Sequence, residues 1–115
     1  MENKQKYLEF IKKRRAMFMD EKTACRQSED TSFADEAFAL GIEMDCGKSF
    51  CEKYNVALGK NDTFDFVDDI DCLASAIFSY WRYFNHWAEY DNIGNHRDWF
   101  IKAFTRLEEL VEKAE

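Results

Sequence analysis

One stretch constrains the fold more than any other. Residues 64–90, FDFVDDIDCLASAIFSYWRYFNHWAEY, hold nine of the chain's nineteen aromatic residues. At helical pitch, Phe66, Ile70, Leu73, Ala74, Ile77, Tyr80, Trp81, Phe84, Trp87 and Ala88 cover an apolar arc of roughly 150 to 200 degrees. An arc this wide needs several neighbours, so the spacing predicts a central helix over about 63–90 with the other elements packed around it. Asp68, Cys72, Ser75, Ser79, Arg82, His86 and Glu89 follow one line on the opposite edge, stepping alternately by four and three residues. That line is a narrow polar ribbon, and polar stripes on helices usually face solvent.

The rest of the chain reads as helices that can pack on this one. Hydrophobic residues make up 46% and charged residues 34%, with four glycines and no proline, a composition that fits neither a disordered chain nor a turn-rich β-sandwich. The expectation is a single all-α domain spanning residues 1–115, four-helix bundle-like, with helices near 3–26, 32–57, 63–90 and 96–113. The first has Tyr7, Leu8, Ile11 and Phe18 at helical spacing. The run CRQSEDTS at 25–32 supplies the first connection, with Thr31 or Ser32 as an N-cap. In the second, Ala37, Leu40, Met44, Gly47, Cys51 and Tyr54 share a face, and Gly41 and Gly47 are expected to admit a close neighbour, with a break near Gly47 as the alternative. Residues 59–62 form the next connection, and residues 91–95 the last, with Asn95 as N-cap of a helix whose buried stripe is Trp99, Ala103, Leu107, Leu110, Val111 and Ala114.

Charge is distributed unevenly. The net charge is −7, yet eight Lys or Arg and four Asp or Glu fall within residues 1–28, a local +4 that leaves −11 on the remainder. Lys12, Lys13, Arg14 and Arg15 are the obvious place for a nucleic acid to dock, although a solvated helix face turned toward an acidic body explains them as well. An acidic body disfavours broad contact with phosphates. Asp62, Asp65, Asp68, Asp69 and Asp71 crowd one region; the first suit a helix N-terminus and the later ones exceed what the helix dipole explains. Were a divalent metal held anywhere, Asp65, Asp68 and Asp69 would be its ligands, but their spread over more than one helix face argues against tight binding.

Catalytic signatures are missing. The sequence has no glycine-rich phosphate loop, His-Glu-x-x-His, Glu-x-x-His or Gly-x-Ser-x-Gly motif. The four cysteines include no Cys-x-x-Cys pair and read as reduced, small apolar residues. No cofactor is expected. Ser79 lies about 10 Å along the helix from His86, too far for a nucleophile and its base. What the ribbon could offer is an anion site along Ser75, Ser79, Arg82 and His86, with Arg82 as a planar donor fork, His86 as a titratable partner, and Tyr83 or Tyr90 as ring faces. His96 is assigned to finishing the turn before the last helix.

The strings SAIFSYWRYFNHWAEY and NHRDWFIKAFTRL, within residues 75–110, resemble a segment of small uncharacterised bacterial helical proteins, of a kind associated with mobile elements. The resemblance implies a bacterial cytosolic protein and assigns no activity, cofactor or site residue. A cytoplasmic location also follows from the absence of an apolar leader or of about 18 apolar residues in a row. Three functions are compatible with these features: a non-enzymatic protein-binding or adaptor protein, self-associating through some of Phe64, Phe78, Trp87 and Trp99; an acidic inhibitor that mimics nucleic acid; and a small metal-dependent enzyme acting on a phosphorylated or nucleotide substrate.

Overall fold

The computed structural model describes residues 1–20, 32–87 and 93–114, with side chains at all of these except 84–87 and 93–95. In chain order the helices are α1 (Lys4–Met19), α2 (Ser32–Ala39), α3 (Lys48–Tyr54), α4 (Ile70–Trp87) and α5 (Ile93–Lys113). The described residues contain no strand. The Cα radius of gyration is 13.0 Å, against about 13 Å for a compact chain of this length. The first connection, Thr31, Cys25, Tyr90 and residues 91 and 92 of the last turn lie outside the described residues, as do the side chains of Asn95 and Trp87.

α1 and α5 run antiparallel, and each supplies a cation to the other's carboxyl end. The Lys4 ammonium donates to the carbonyls of Glu112 and Ala114, both at 2.9 Å. At the opposite end Arg97 donates from Nε to the Phe18 carbonyl at 2.6 Å and from its terminal nitrogen to the Met19 carbonyl. These carbonyls have no partner within their own helices, and a cation there also meets the negative end of the helix dipole. Midway along the seam Arg15 grips Glu108 with two bonds of 2.9 and 3.2 Å. Beneath these polar contacts Phe18 stacks on Phe100 at 4.3 Å between ring centroids.

α4 is the buried rod that the aromatic run implies. All nine residues from 73 to 81 are buried. Phe78 and Trp81 meet Phe33 of α2, and Tyr80 meets Trp99 and Phe100 of α5. α3 also packs against α4. Contact from three helices removes the two-sided character that the ribbon suggests.

The expected second helix, 32–57, is two short helices with an irregular link. α2 ends in a Schellman motif: Ile42 N–H donates to the Ala37 carbonyl at 3.0 Å and Gly41 N–H to the Phe38 carbonyl at 3.0 Å. Gly41 has φ +78°, and a Cβ there would meet nothing within 4 Å. The glycine is therefore required by the left-handed backbone, where a side chain costs energy, and not by a close neighbour. Cys46 and Gly47 are also left-handed, and the Asp45 carboxylate accepts the N–H groups of Gly47 at 3.0 Å and Ser49 at 3.2 Å to open α3.

The central helix likewise begins later than its hydrophobic pattern, at Ile70. The Tyr54 hydroxyl accepts the N–H groups of Asp68 at 3.1 Å and Asp69 at 3.0 Å while donating to Asp68 Oδ1 at 2.7 Å. Asp69 then caps α4 by accepting the Cys72 N–H at 3.0 Å. With those donors already satisfied, residues 62–69 gain little by winding into helix, and Phe64 and Val67 reach the core from a turn. Among the described residues there are three longer helices and two short ones, the second short helix lying within the capped segment 40–69.

Candidate functional site

The segment 40–69 decides what becomes of the polar ribbon, because it lies over that face of α4. Gly59 sits so close to Tyr80 that a Cβ would stand 2.6 Å from the ring. Small residues on the ribbon, Cys72, Ser75 and Ser79, let the backbone approach. Ser75 is 7% exposed and lines a small cavity with Tyr7, Gly41, Ile42, Glu43, Asp71 and Ala74. Ser79 is 4% exposed, and its Oγ has no hydrogen-bond partner. Arg82 is exposed. The His86 side chain is outside the described residues. Ser75 and Ser79 thus lie in a buried middle of the ribbon, where its pattern suggests solvent, and Arg82 at an exposed position.

The basic run of α1 also separates into different environments. Arg14 is fully buried. It donates from Nε to Glu36 Oε1 at 3.2 Å, and from one terminal nitrogen to Glu36 Oε2 at 2.7 Å and Ser32 Oγ at 3.0 Å. Its guanidinium carbon lies 5.2 Å from the centroid of the Phe33 ring. Lys13 also reaches Glu36, at 2.7 Å, and Arg15 is held by Glu108. Of the four cations only Lys12 has no such contact here, so Lys12, Lys13, Arg14 and Arg15 do not form one continuous solvated face. The signal was present in the spacing: Tyr7, Ile11, Arg14 and Phe18 step by four, three and four, which places Arg14 on the buried stripe. Burial raises the Glu36 pKa, but the bonds from Arg14 and Lys13 outweigh it and hold the carboxyl below its ordinary value.

Two members of the acidic region, Asp68 and Asp69, are engaged in structure. Asp69 caps α4 and pairs with Lys53 at 2.9 Å, the interaction that chiefly lowers its pKa. Asp68 receives the Tyr54 hydroxyl but is exposed, as are Asp62, Asp65 and Asp71. Among the described residues no group of three or more His, Cys, Asp or Glu is arranged to hold a metal ion. The cysteines at 46, 51 and 72 are free thiols.

Three of the aromatics expected at an association surface belong to the core: Phe64, Phe78 and Trp99 are buried, because the 62–69 turn, α2 and α5 cover them. Among the described residues the large apolar side chains that reach solvent are Met19, Phe38, Phe66 and Tyr83.

Tyr83 marks the most chemically distinctive concavity. Leu58, Lys60, Tyr80, Tyr83 and His96 line a cavity of ≈ 270 Å³ at the end of α4, beside the start of α5. The Tyr80 and Tyr83 rings lie parallel within 7°, with centroids 6.0 Å apart. One face of this pair is anchored in the core through Trp99 and Phe100, while Tyr83 remains 51% exposed. The Tyr80 hydroxyl is hydrogen-bonded to His96 Nδ1. Burial, then the Tyr83 charge, raises the Tyr80 pKa; burial, then the Lys60 charge, lowers that of His96. Both shifts favour a neutral pair in which the phenol donates and the imidazole accepts. Lys60 has no hydrogen-bond or ion-pair partner for its side chain among the described residues. The cavity thus combines a fixed ring face, a cation with no ion-pair partner among the described residues, and a titratable imidazole.

Sequence reading singles out Tyr83 as a ring face but places Tyr80 in the core and His96 in a turn. Nothing in the sequence links Lys60 to them, since that link depends on Gly59 docking against Tyr80. No described helix is long and apolar enough to cross a membrane. Comparison of the chain with protein-family models, with curated proteins and with solved structures finds no match.

Proposed function

We propose that this chain is a non-enzymatic helical binding protein that engages a protein partner through the concavity around Tyr83. The observation that carries this reading is a half-exposed tyrosine whose ring is braced from behind by Tyr80, beside a lysine. Tyrosine is a frequent interface hot spot, because a rigid ring gives contact area with little loss of side-chain entropy, and a charge such as Lys60 beside it can select among partners. Of the carboxylates that a nucleic-acid mimic or a metal enzyme would use, Asp69 is bonded to Lys53 and a backbone amide, and Asp68, although exposed, accepts the Tyr54 hydroxyl.

Selection of a random displayed peptide library against the purified chain tests the reading. Selected peptides should lose about tenfold or more in affinity on Tyr83→Ala, since a hot-spot aromatic contributes at least about 1.4 kcal/mol. Phe66→Ser, at another exposed aromatic, should leave binding within about twofold. A selection that yields no binder, or binders equally sensitive at Phe66 and Tyr83, contradicts the proposal.

A further inference from the structure

We infer that the Tyr83 concavity takes an acidic side chain of the partner followed by an apolar one, with the carboxylate held by Lys60 and the Tyr80 hydroxyl, and that protonation of His96 strengthens the grip. The inference rests on the binding reading above and assigns the chemistry of what binds.

The lining residues divide by chemistry. Leu58 and the outer face of Tyr83 present apolar surface, and Tyr83 has no other ring stacked on that face among the described residues. Lys60 supplies a positive charge in a chain whose net charge is −7, where most cations with described contacts are paired to a carboxylate or carbonyl. An anion brought beside Lys60 exchanges water for a charge-assisted contact, while an adjacent apolar group covers the ring and keeps the pair partly dry. The volume, ≈ 270 Å³, suits one or two side chains better than a large cofactor.

His96 makes the site responsive to pH through Tyr80. With the imidazole neutral, the Tyr80 proton is directed to Nδ1. When a solvent proton binds Nδ1, that nitrogen becomes the donor and the phenol oxygen the acceptor. The phenol O–H is then free to turn toward the cavity and donate to a carboxylate. Protonation also adds a second positive charge beside Lys60. Among the described residues the charged and titratable groups around the ring are Lys60 from segment 40–69, Tyr80 and Tyr83 from α4, and, on α5 itself, Arg97, which is engaged with the carboxyl end of α1.

The test is a heteronuclear NMR titration of the full chain with N-acetyl-glutamyl-phenylalanine amide, its glutaminyl counterpart, and inorganic phosphate, at about pH 5 and about pH 8. The acidic dipeptide should shift the resonances of Lys60, Tyr83 and His96 with a millimolar Kd, about tenfold tighter than the glutaminyl form and about fivefold tighter at the lower pH. Lys60→Met, at an exposed position, should remove most of the preference for the acid while leaving the spectrum otherwise folded. His96→Gln should abolish the pH dependence. Equal binding of the two dipeptides at Tyr83 would overturn this inference and leave the binding reading standing. Phosphate binding as tightly as the acidic dipeptide would make the site one for free anions and likewise overturn it. No shift at these three residues up to about 20 mM acidic dipeptide also rejects it, whatever the library selection yields. Acid-selective binding that does not change with pH would remove the role given to His96.

Discussion

α1 and the segment 40–69 both depend on polar side chains, and they use them in opposite ways. α1 carries six Lys or Arg and a single acid, and its cations reach outward: to the end of α5 from Lys4, to Glu36 from Arg14, to Glu108 from Arg15. Residues 40–69 carry seven Asp or Glu and three lysines, and their polar groups turn back on local backbone: Asp45 onto the start of α3, Tyr54 onto Asp68 and Asp69, Asp69 onto the start of α4. α1 is a helix by its apolar periodicity, and its charges choose its neighbours. The 40–69 segment lacks a long period, and its side chain–backbone bonds choose its shape.

Four perturbations probe that contrast. The largest effect is expected at Arg14→Met, which leaves Glu36 without its buried partner and should cost about 3 kcal/mol in denaturant unfolding. A loss below about 1 kcal/mol would show that Arg14 is a surface charge in solution, making α1 less different from the acidic segment than described. Next is Gly59→Ala, where the new methyl meets the Tyr80 ring in a left-handed backbone; about 2 kcal/mol should be lost, together with Tyr83-dependent peptide binding. Tyr54→Phe keeps the ring and deletes three hydrogen bonds at a site open enough for water, so about 1 kcal/mol is expected, with amide exchange faster at Asp68 and Asp69 than in α1. Lys4→Met is the mildest, at about 0.5 kcal/mol, and its effect should shrink in high salt.

A pH scan sharpens the same comparison. Glu36, Asp45, Asp69 and Glu108 all have depressed pKa values in the folded chain, so each binds protons more readily when unfolded. Their contribution is fully present above the ordinary carboxylate range, near about pH 4 to 5, and is lost as pH falls through the folded values. Thermal unfolding should therefore show a falling Tm below about pH 4.5, and the Glu36 share of that slope should vanish in Arg14→Met. An acid limb unchanged by the substitution would separate Glu36 from Arg14.

Much of the fold could be read from the chain, and the residues that could not be have a common physical character. Helical periodicity identifies α1, the buried centre of α4 and the stripe of α5, because each buries enough apolar surface to dominate local preferences. It fails where a polar group has a partner distant in sequence. Spacing puts Arg14 on the buried stripe but does not show Glu36 and Ser32, the partners that let a charge stay there, and α4 starts late because Tyr54 and a turn hold the amides just before it. Gly41 is visible as a glycine, but its Schellman geometry depends on the two bonds around it. The candidate site suffers most from this limit. Its aromatic pair has helical spacing and is legible, whereas Lys60 and His96 join it only through the docking of Gly59 on Tyr80. Ser75 and Ser79, polar in sequence, act as small residues that let the segment above come close.

The central claim is that residues 40–69 form a capped, mostly non-helical cover over α4 and so place Lys60 at the Tyr80–Tyr83 face. Backbone chemical shifts along residues 32–90 test it most directly. The account predicts helical carbon shifts over 32–39, 48–54 and from residue 70 onward, with left-handed signatures at Gly41, Cys46 and Gly47 and no helical run over 62–69. Continuous helical shifts from 32 to 57 and from 63 onward would contradict it, because they would lift the cover and return Ser75 and Ser79 to an open helix face.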